Sequence, residues 1–158
     1  MTIVLVEGES DRAAVEVLAA RLEVTGVDVR AVGGSKGARR AIDALPAKRV
    51  IGLVDANERA DFETVLDAVF VCAPDLEGEF VRALGAARVV ALLEEQGEGA
   101  SFRRLQRQPA QRGRMLEEQL GQFFAGRSGN KLRYARLMAD AVELTRMPPP
   151  LRALLDAC

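Results

Sequence analysis

Residues 2–11 read Thr-Ile-Val-Leu-Val-Glu-Gly-Glu-Ser-Asp. Thr2 to Val6 is an unbroken apolar, β-branched run with no polar alternation, which predicts a strand buried on both faces. Glu7 ends that run directly, and Gly8 is expected to turn the backbone there. Ser10 can cap a helix starting just after it, and from Asp11 to Leu22 the residues Ala14, Val15, Leu18 and Leu22 recur at helical spacing. The same strand-then-helix rhythm continues downstream. Val27–Val32 predicts a strand ended by Gly33-Gly34, and 37–45 a short helix closed by Pro46. Arg49–Val54 predicts a strand ending at Asp55, 58–68 a helix, Val69–Cys72 a fourth strand. Asp75–Leu84 predicts a helix with Leu76, Phe80, Val81 and Leu84 inward. The fold class is therefore α/β: a Rossmann-like, mostly parallel sheet of about four strands covered by helices.

The remainder reads as helical. Ala86–Gln96, Arg114–Ala125 and Asn130–Leu144 carry the periodicity, QRQPAQRG at 106–113 is a polar connection, and the triple proline at 148–150 is expected to stop the last long helix. A chain of 158 residues predicts one domain. Residues 1–98 are expected to form the α/β core and 99–158 a helical C-terminal extension packed on the same domain.

Composition narrows the chemistry. Histidine is absent, which excludes imidazole-based hydrolysis and histidine-containing zinc sites. Acid–base or metal chemistry must run on carboxylates and lysine. Residues 1–98 hold 18 acids and 11 bases, whereas 99–158 hold 5 acids and 11 bases. An acidic half joined to a basic half suits a metal site beside a phosphate-binding surface, although uneven surface charge explains it as readily. Cys72 and Cys158 match no metal spacing, and a reducing, cytoplasmic setting is expected. No segment reaches the roughly 20 apolar residues of a membrane span. MTIVLVEGESD has early acids and no basic leader, so it is expected to start the fold and not to serve as a signal peptide.

The acids of interest fall where parallel sheets gather ligand groups, at the carboxyl ends of the strands. Glu7 follows the first strand, Asp55 the third, and Asp75 and Glu77 the fourth. Glu7 and Asp55 on neighbouring strand ends can hold one hard cation through oxygen. Asp11, Asp75 and Glu77 have an ordinary explanation as helix-start acids that complement the helix dipole; Glu79 is expected to be solvated. Arg127-Ser128-Gly129-Asn130-Lys131 places a lysine at a helix start, where it can meet a phosphate or serve as an ordinary surface charge. Gly33-Gly34-Ser35-Lys36-Gly37 lacks the spacing of a nucleotide-binding P-loop, but its amides can still help hold a phosphate. Arg103, Arg104, Arg107, Arg112 and Arg114 can line a phosphate path or form a solvated surface.

Taken in order, VLVEGESD (4–11), GLVDANE (52–58), FVCAPDLEGEF (70–80) and GNKLRYARLMADA (129–141) resemble the TOPRIM domain in the form found in OLD-family nucleases. The resemblance covers most of the chain. It implies divalent-metal-dependent hydrolysis or transfer at a nucleic-acid phosphodiester, DNA nicking or cleavage above all, with Mg²⁺ or Mn²⁺ as cofactor. Glu7, Asp11 and Asp55 would hold one ion, with Glu58 as a further oxygen donor. Asp75 and Glu77 would help hold a second, and Lys131 would steady charge on the phosphate. The catalytic set it implies is Glu7, Asp55 and Lys131. Asp55-Ala56-Asn57 departs from the family's D-x-D, because Asn57 carries no charge. OLD proteins also join TOPRIM to an ATPase; the sequence holds no such motif, so the chain is expected to be stand-alone, with ATP control supplied by a separate partner protein. A non-catalytic module that binds nucleic acid or a partner protein is the alternative. A receiver-like phosphoacceptor is a third reading, which Glu7-Gly8 and the long helical half oppose.

Overall fold

The computed structural model describes residues 1–45, 48–126 and 129–158. The expected helix stop at Pro46 and the Arg127-Ser128 pair lie outside them. Four strands, β1 (Thr2–Val6), β2 (Val27–Ala31), β3 (Arg49–Asp55) and β4 (Val69–Cys72), form an all-parallel sheet in the order β2-β1-β3-β4. In register, Val6 lies level with Ala31 and with Leu53, and Asp55 lies level with Cys72.

The unbroken apolar run of β1 is explained by burial on both sides. Val4 and Val6 face one hydrophobic cluster, whereas Ile3 and Leu5 face the other. The pleat sends successive side chains to opposite faces, so a strand in the middle of a covered sheet has no polar face. The larger face packs against α1 (Glu9–Arg21), α4 (Leu76–Leu84) and helices from the second half of the chain: α5 (Ala86–Glu95), α6 (Gly99–Gln106), α7 (Leu116–Ala125), α8 (Asn130–Ala141) and α9 (Pro149–Asp156). The smaller face is covered by α2 (Ser35–Asp43) and α3 (Arg59–Glu63), around Phe62, Leu66 and Ala38. Among the described residues, no helix is long and apolar enough to cross a membrane.

Helix α8 lies along α1. Tyr134, Ala135, Met138 and Ala139 are buried there, and the Arg21 guanidinium donates to the carbonyls of Ala139 (2.6 Å) and Val142 (2.8 Å) at the far end of α8. Those carbonyls have no partner within the helix, and a cation there also complements its dipole.

Several local expectations change. Residues 58–68 form only the five-residue α3, because the Thr64 hydroxyl donates to the Asp61 carbonyl (2.6 Å) and competes with the helical ladder. Residues 99–106 form α6, although their apolar positions are few. The prolines at 148–150 begin α9 instead of stopping α8, which ends at Ala141. Proline suits a first helical turn, where its missing N–H costs nothing. Gly8 is extended (φ −133°), a conformation open to any residue, so no glycine is required for the turn there.

Candidate metal centre

The carboxyl ends of the strands open into a cleft of about 290 Å³ lined by Glu7, Gly8, Ser10, Asp11, Gly33, Asp55, Glu77 and Lys131. Each lining group is set by the element that carries it. Glu7 is the first residue beyond β1. Asp11 sits in the first turn of α1, where its carboxylate accepts from the Gly8 N–H (2.9 Å). That bond is the acid half of a capping box and fixes the side chain over the end of β1. Asp55 closes β3, and its Oδ1 accepts from the Leu76 N–H (3.2 Å), which ties the strand end to the start of α4. The Ala56 N–H donates to the Pro74 carbonyl (3.1 Å) and holds the same two segments together. Gly33, at φ +81°, bends the chain away from β2, and its N–H donates to the Glu7 carbonyl (2.8 Å). Such a left-handed position favours glycine.

Of the expected site residues, Glu7, Asp11, Asp55, Glu77 and Lys131 share this cleft, and Glu58 and Asp75 do not line it. Glu58 lies beside it in a short 3₁₀ turn after β3 (Ala56–Glu58), near enough to act on Glu7. Asp75 is the N-cap of α4, its Oδ1 accepting from the Gly78 N–H (2.8 Å), so half of its carboxylate is committed to structure. Asn57 is exposed. Glu79, expected to be solvated, is 8% exposed. It accepts from the Ala73 N–H (3.1 Å) and pairs with Arg82 (3.0 Å), which explains its burial without any functional role. Gly33 joins the cleft from β2, and the glycine pair after that strand was the signal for it. Ser10 follows from its place in the first turn of α1.

The electrostatics of the cleft are strained in one direction. Burial raises the Asp55 carboxyl to about 7, and the neighbouring charges of Asp11, Glu77, Asp75 and Glu7 push the same way. Burial also raises Glu7, assisted by Glu58 and Asp11 and opposed by Lys131. It raises Asp11 against the Gly8 hydrogen bond and Lys131. It raises Glu77, which is 5% exposed, against Lys131 and its own backbone N–H. Among the described residues, none of Glu7, Asp11, Asp55, Asp75 or Glu77 forms a salt bridge. Buried carboxylates normally have a partner, because an uncompensated charge out of water is costly.

The donor chemistry fits a hard divalent cation. Asp11 and Asp55 each keep one oxygen clear of these backbone bonds, and Glu7 and Glu77 add more. An all-oxygen, anionic set is what Mg²⁺ and Mn²⁺ prefer. Among the described residues, no group of three or more acidic or thiol side chains is set closely enough to hold a metal ion as it stands. Mg²⁺ commonly keeps several waters and needs only a few carboxylates, so an open set is compatible with it.

No protein-family model matches the sequence, and no curated protein does. Solved structures do match. The C-terminal region of the Burkholderia pseudomallei OLD protein superposes with a TM-score of 0.69 at 17% identity, covering 99% of this chain and 95% of that one. The C-terminal region of the Xanthomonas campestris pv. campestris OLD protein gives 0.69 at 19% identity, covering 98% and 92%. A second structure of that region gives 0.69 at 20% identity, covering 98% and 90%. The fold is the OLD-type TOPRIM fold. The likeness runs through the helical second half as well as the sheet.

Proposed function

We propose that this TOPRIM chain hydrolyses or transfers nucleic-acid phosphodiesters in a divalent-metal-dependent reaction, with DNA nicking or cleavage as its activity. The observation that carries this reading is the convergence of Glu7, Asp11, Asp55 and Glu77 on one cleft with no salt bridge among the described residues and one lysine facing them. Residues 1–98 would be the metal-bearing core, and 99–158 the helical extension that supplies the cation.

In this reading Glu7, Asp11 and Asp55 hold one ion, and Glu77 lies beside a second position. Asp75 and Glu58 act from the margin, as donors or as fixed negative charge. Bound Mg²⁺ or Mn²⁺ would supply Lewis acidity and a nucleophile at neutral pH, which a chain without histidine otherwise lacks. Lys131 would hold a phosphate oxygen and offset charge that builds during the reaction. The amide groups of the first turn of α2, which follows Gly33, offer a neutral cradle for a second oxygen. The carboxylates themselves repel phosphate, so the metal should draw the scissile phosphate into the cleft, while contacts outside it need no metal.

The second reading, a non-catalytic nucleic-acid or partner-binding module, is favoured by Asn57, which is neutral, exposed and outside the cleft. Plasmid nicking with Mg²⁺ or Mn²⁺ separates the two. Metal-dependent nicking by the wild type, lost in both Glu7→Gln and Asp55→Asn, is the expected result. Folded wild-type protein that binds DNA without nicking it would favour the module. Nicking unchanged in both variants would overturn the site assignment.

A further inference from the structure

Around the carboxyl edge of the sheet, most basic side chains are already spoken for. Arg12 pairs with Glu16, Arg59 with Glu63 and Arg82 with Glu79. On the α6–α7 side, Arg103 pairs with Glu94 and Arg114 with Glu118, whereas Arg104, Arg107 and Arg112 form no salt bridge among the described residues. Helix α2 gathers three such bases into one groove. Lys36, Arg39 and Arg40 line one of its faces, and among the described residues none of them forms a salt bridge. The groove they line holds about 410 Å³, and its other wall is Thr64 and Val65, past the end of α3. Asp43 is the one acid lining it, one turn further along α2.

The arrangement works against the helix that carries it. Positions 36, 39 and 40 are spaced i, i+3 and i+4, so three like charges share one face, at a cost of a few tenths of a kcal/mol per pair. Lys36 also sits in the first turn, where the helix dipole disfavours a cation. The first turn of α2 carries no acid to offset it, as is also true of α5, α6, α8 and α9. A locally unfavourable cluster with no internal partner points to a partner outside the chain.

Its position says which partner. The α2 face starts two residues after Gly33, a wall of the metal cleft. Gly37 holds the helix close to that turn: a Cβ there would lie 1.9 Å from the Val32 carbonyl oxygen. Ser35, at the head of the groove, is two residues from Gly33, so the groove begins beside the cleft and runs down α2 toward the end of α3.

We propose that the α2–α3 groove carries the phosphate backbone of a nucleic-acid strand leading away from the metal centre, with Lys36, Arg39 and Arg40 as its phosphate contacts. The proposal rests on the reading of the cleft as a phosphodiester-cleaving metal centre. Backbone contacts of this kind position a strand without reading its sequence.

The test compares the wild type, the triple variant Lys36→Ala/Arg39→Ala/Arg40→Ala and the charge-matched control Arg88→Ala/Arg146→Ala/Arg152→Ala, whose arginines pair with Glu95, Glu143 and Asp156. Affinity for a fluorescein-labelled duplex is measured in EDTA across a salt series, and plasmid nicking is measured separately with Mg²⁺. The α2 variant should bind about tenfold or more weakly at low salt. Its dependence of log K on log salt should flatten by about 2 to 3, at ~0.9 per phosphate contact. The control should change neither. Because like-charge repulsion is removed, the α2 variant should melt no lower than the wild type, which separates lost binding from lost fold. Wild type that binds and nicks, with an α2 variant that does both equally well, would overturn the groove and leave the nuclease reading standing. Equal loss in the control would also overturn it. A wild type that binds without nicking, with binding lost in the α2 variant, would support the groove and reject the catalysis. Absence of both binding and nicking in the wild type would overturn both.

Discussion

Replacing Asp55 by asparagine should make the metal-free protein more stable at alkaline pH. The carboxyl of Asp55 titrates at about 7 in the fold. In the unfolded chain an aspartate titrates near ~3.9. Between those values the native state holds a proton that the unfolded state has released, so stability falls as pH rises from about 4 through 7. At ~1.4 kcal/mol per pH unit, the full difference corresponds to roughly 4 kcal/mol lost by pH 8. Asp55 is only half-buried and solvent screens part of the repulsion, so about 2 kcal/mol is the working value. Asparagine keeps an oxygen to accept from the Leu76 N–H and carries no charge. In EDTA at pH 8, Asp55→Asn should therefore melt about 4–8 °C above the wild type. At pH 4 the two should nearly coincide. Mg²⁺ should close the gap at pH 8 by stabilising the wild type alone. Thermal melts at the two pH values, with and without Mg²⁺, decide it. An Asp55→Asn variant less stable than the wild type at pH 8 in EDTA, or a difference independent of pH, would refute the electrostatic account of the cleft.

Three further outcomes are expected from the geometry. Asp75→Ala removes the N-cap of α4 and should cost about 1 kcal/mol, whereas Asp75→Asn should keep the cap and stay within about 0.5 kcal/mol, as read by urea unfolding. Gly37→Ala forces a Cβ onto the Val32 carbonyl and should destabilise the protein by about 1–3 kcal/mol, measured by the shift in the thermal midpoint. Arg21→Met leaves the Ala139 and Val142 carbonyls without their donor; a loss of about 2 kcal/mol should appear in denaturant melts, with faster amide exchange at the end of α8.

Legibility in the sequence was set by the strength of local signals. The buried strands were plain because a strand covered on both faces needs an unbroken apolar run. Glu7 and Asp55 were legible because an acid that ends such a run stands out against it. Lys131 was visible at a predicted helix start, but a single lysine there has no pattern to separate it from a surface charge, and only the resemblance gave it a role. Asp75 shows the limit on the other side: the chemistry that makes an aspartate a good metal ligand also makes it a good helix cap, and the chain uses it as a cap. Glu79 was misread because its i,i+3 pairing with Arg82 is local, whereas its burial also depends on how the segment before α4 folds back to bring the Ala73 N–H to it. The prolines before α9 were read as a stop because proline both ends and begins helices, and only the neighbouring packing decides which. The basic face of α2 lay in plain view at 36–40, but its lack of internal partners is visible only when the surrounding carboxylates are placed.

The packing of α8 on α1 has a consequence for how the protein comes to exist. The anionic wall of the cleft is assembled from residues 7–77, and its cation arrives on a helix more than fifty residues later. During synthesis the carboxylates are made first and wait, unbalanced, until α8 emerges and docks. Contacts of that sequence separation form late and slowly. An incomplete chain would thus carry the acids without the lysine, and the competence of the cleft would report that folding has run to completion.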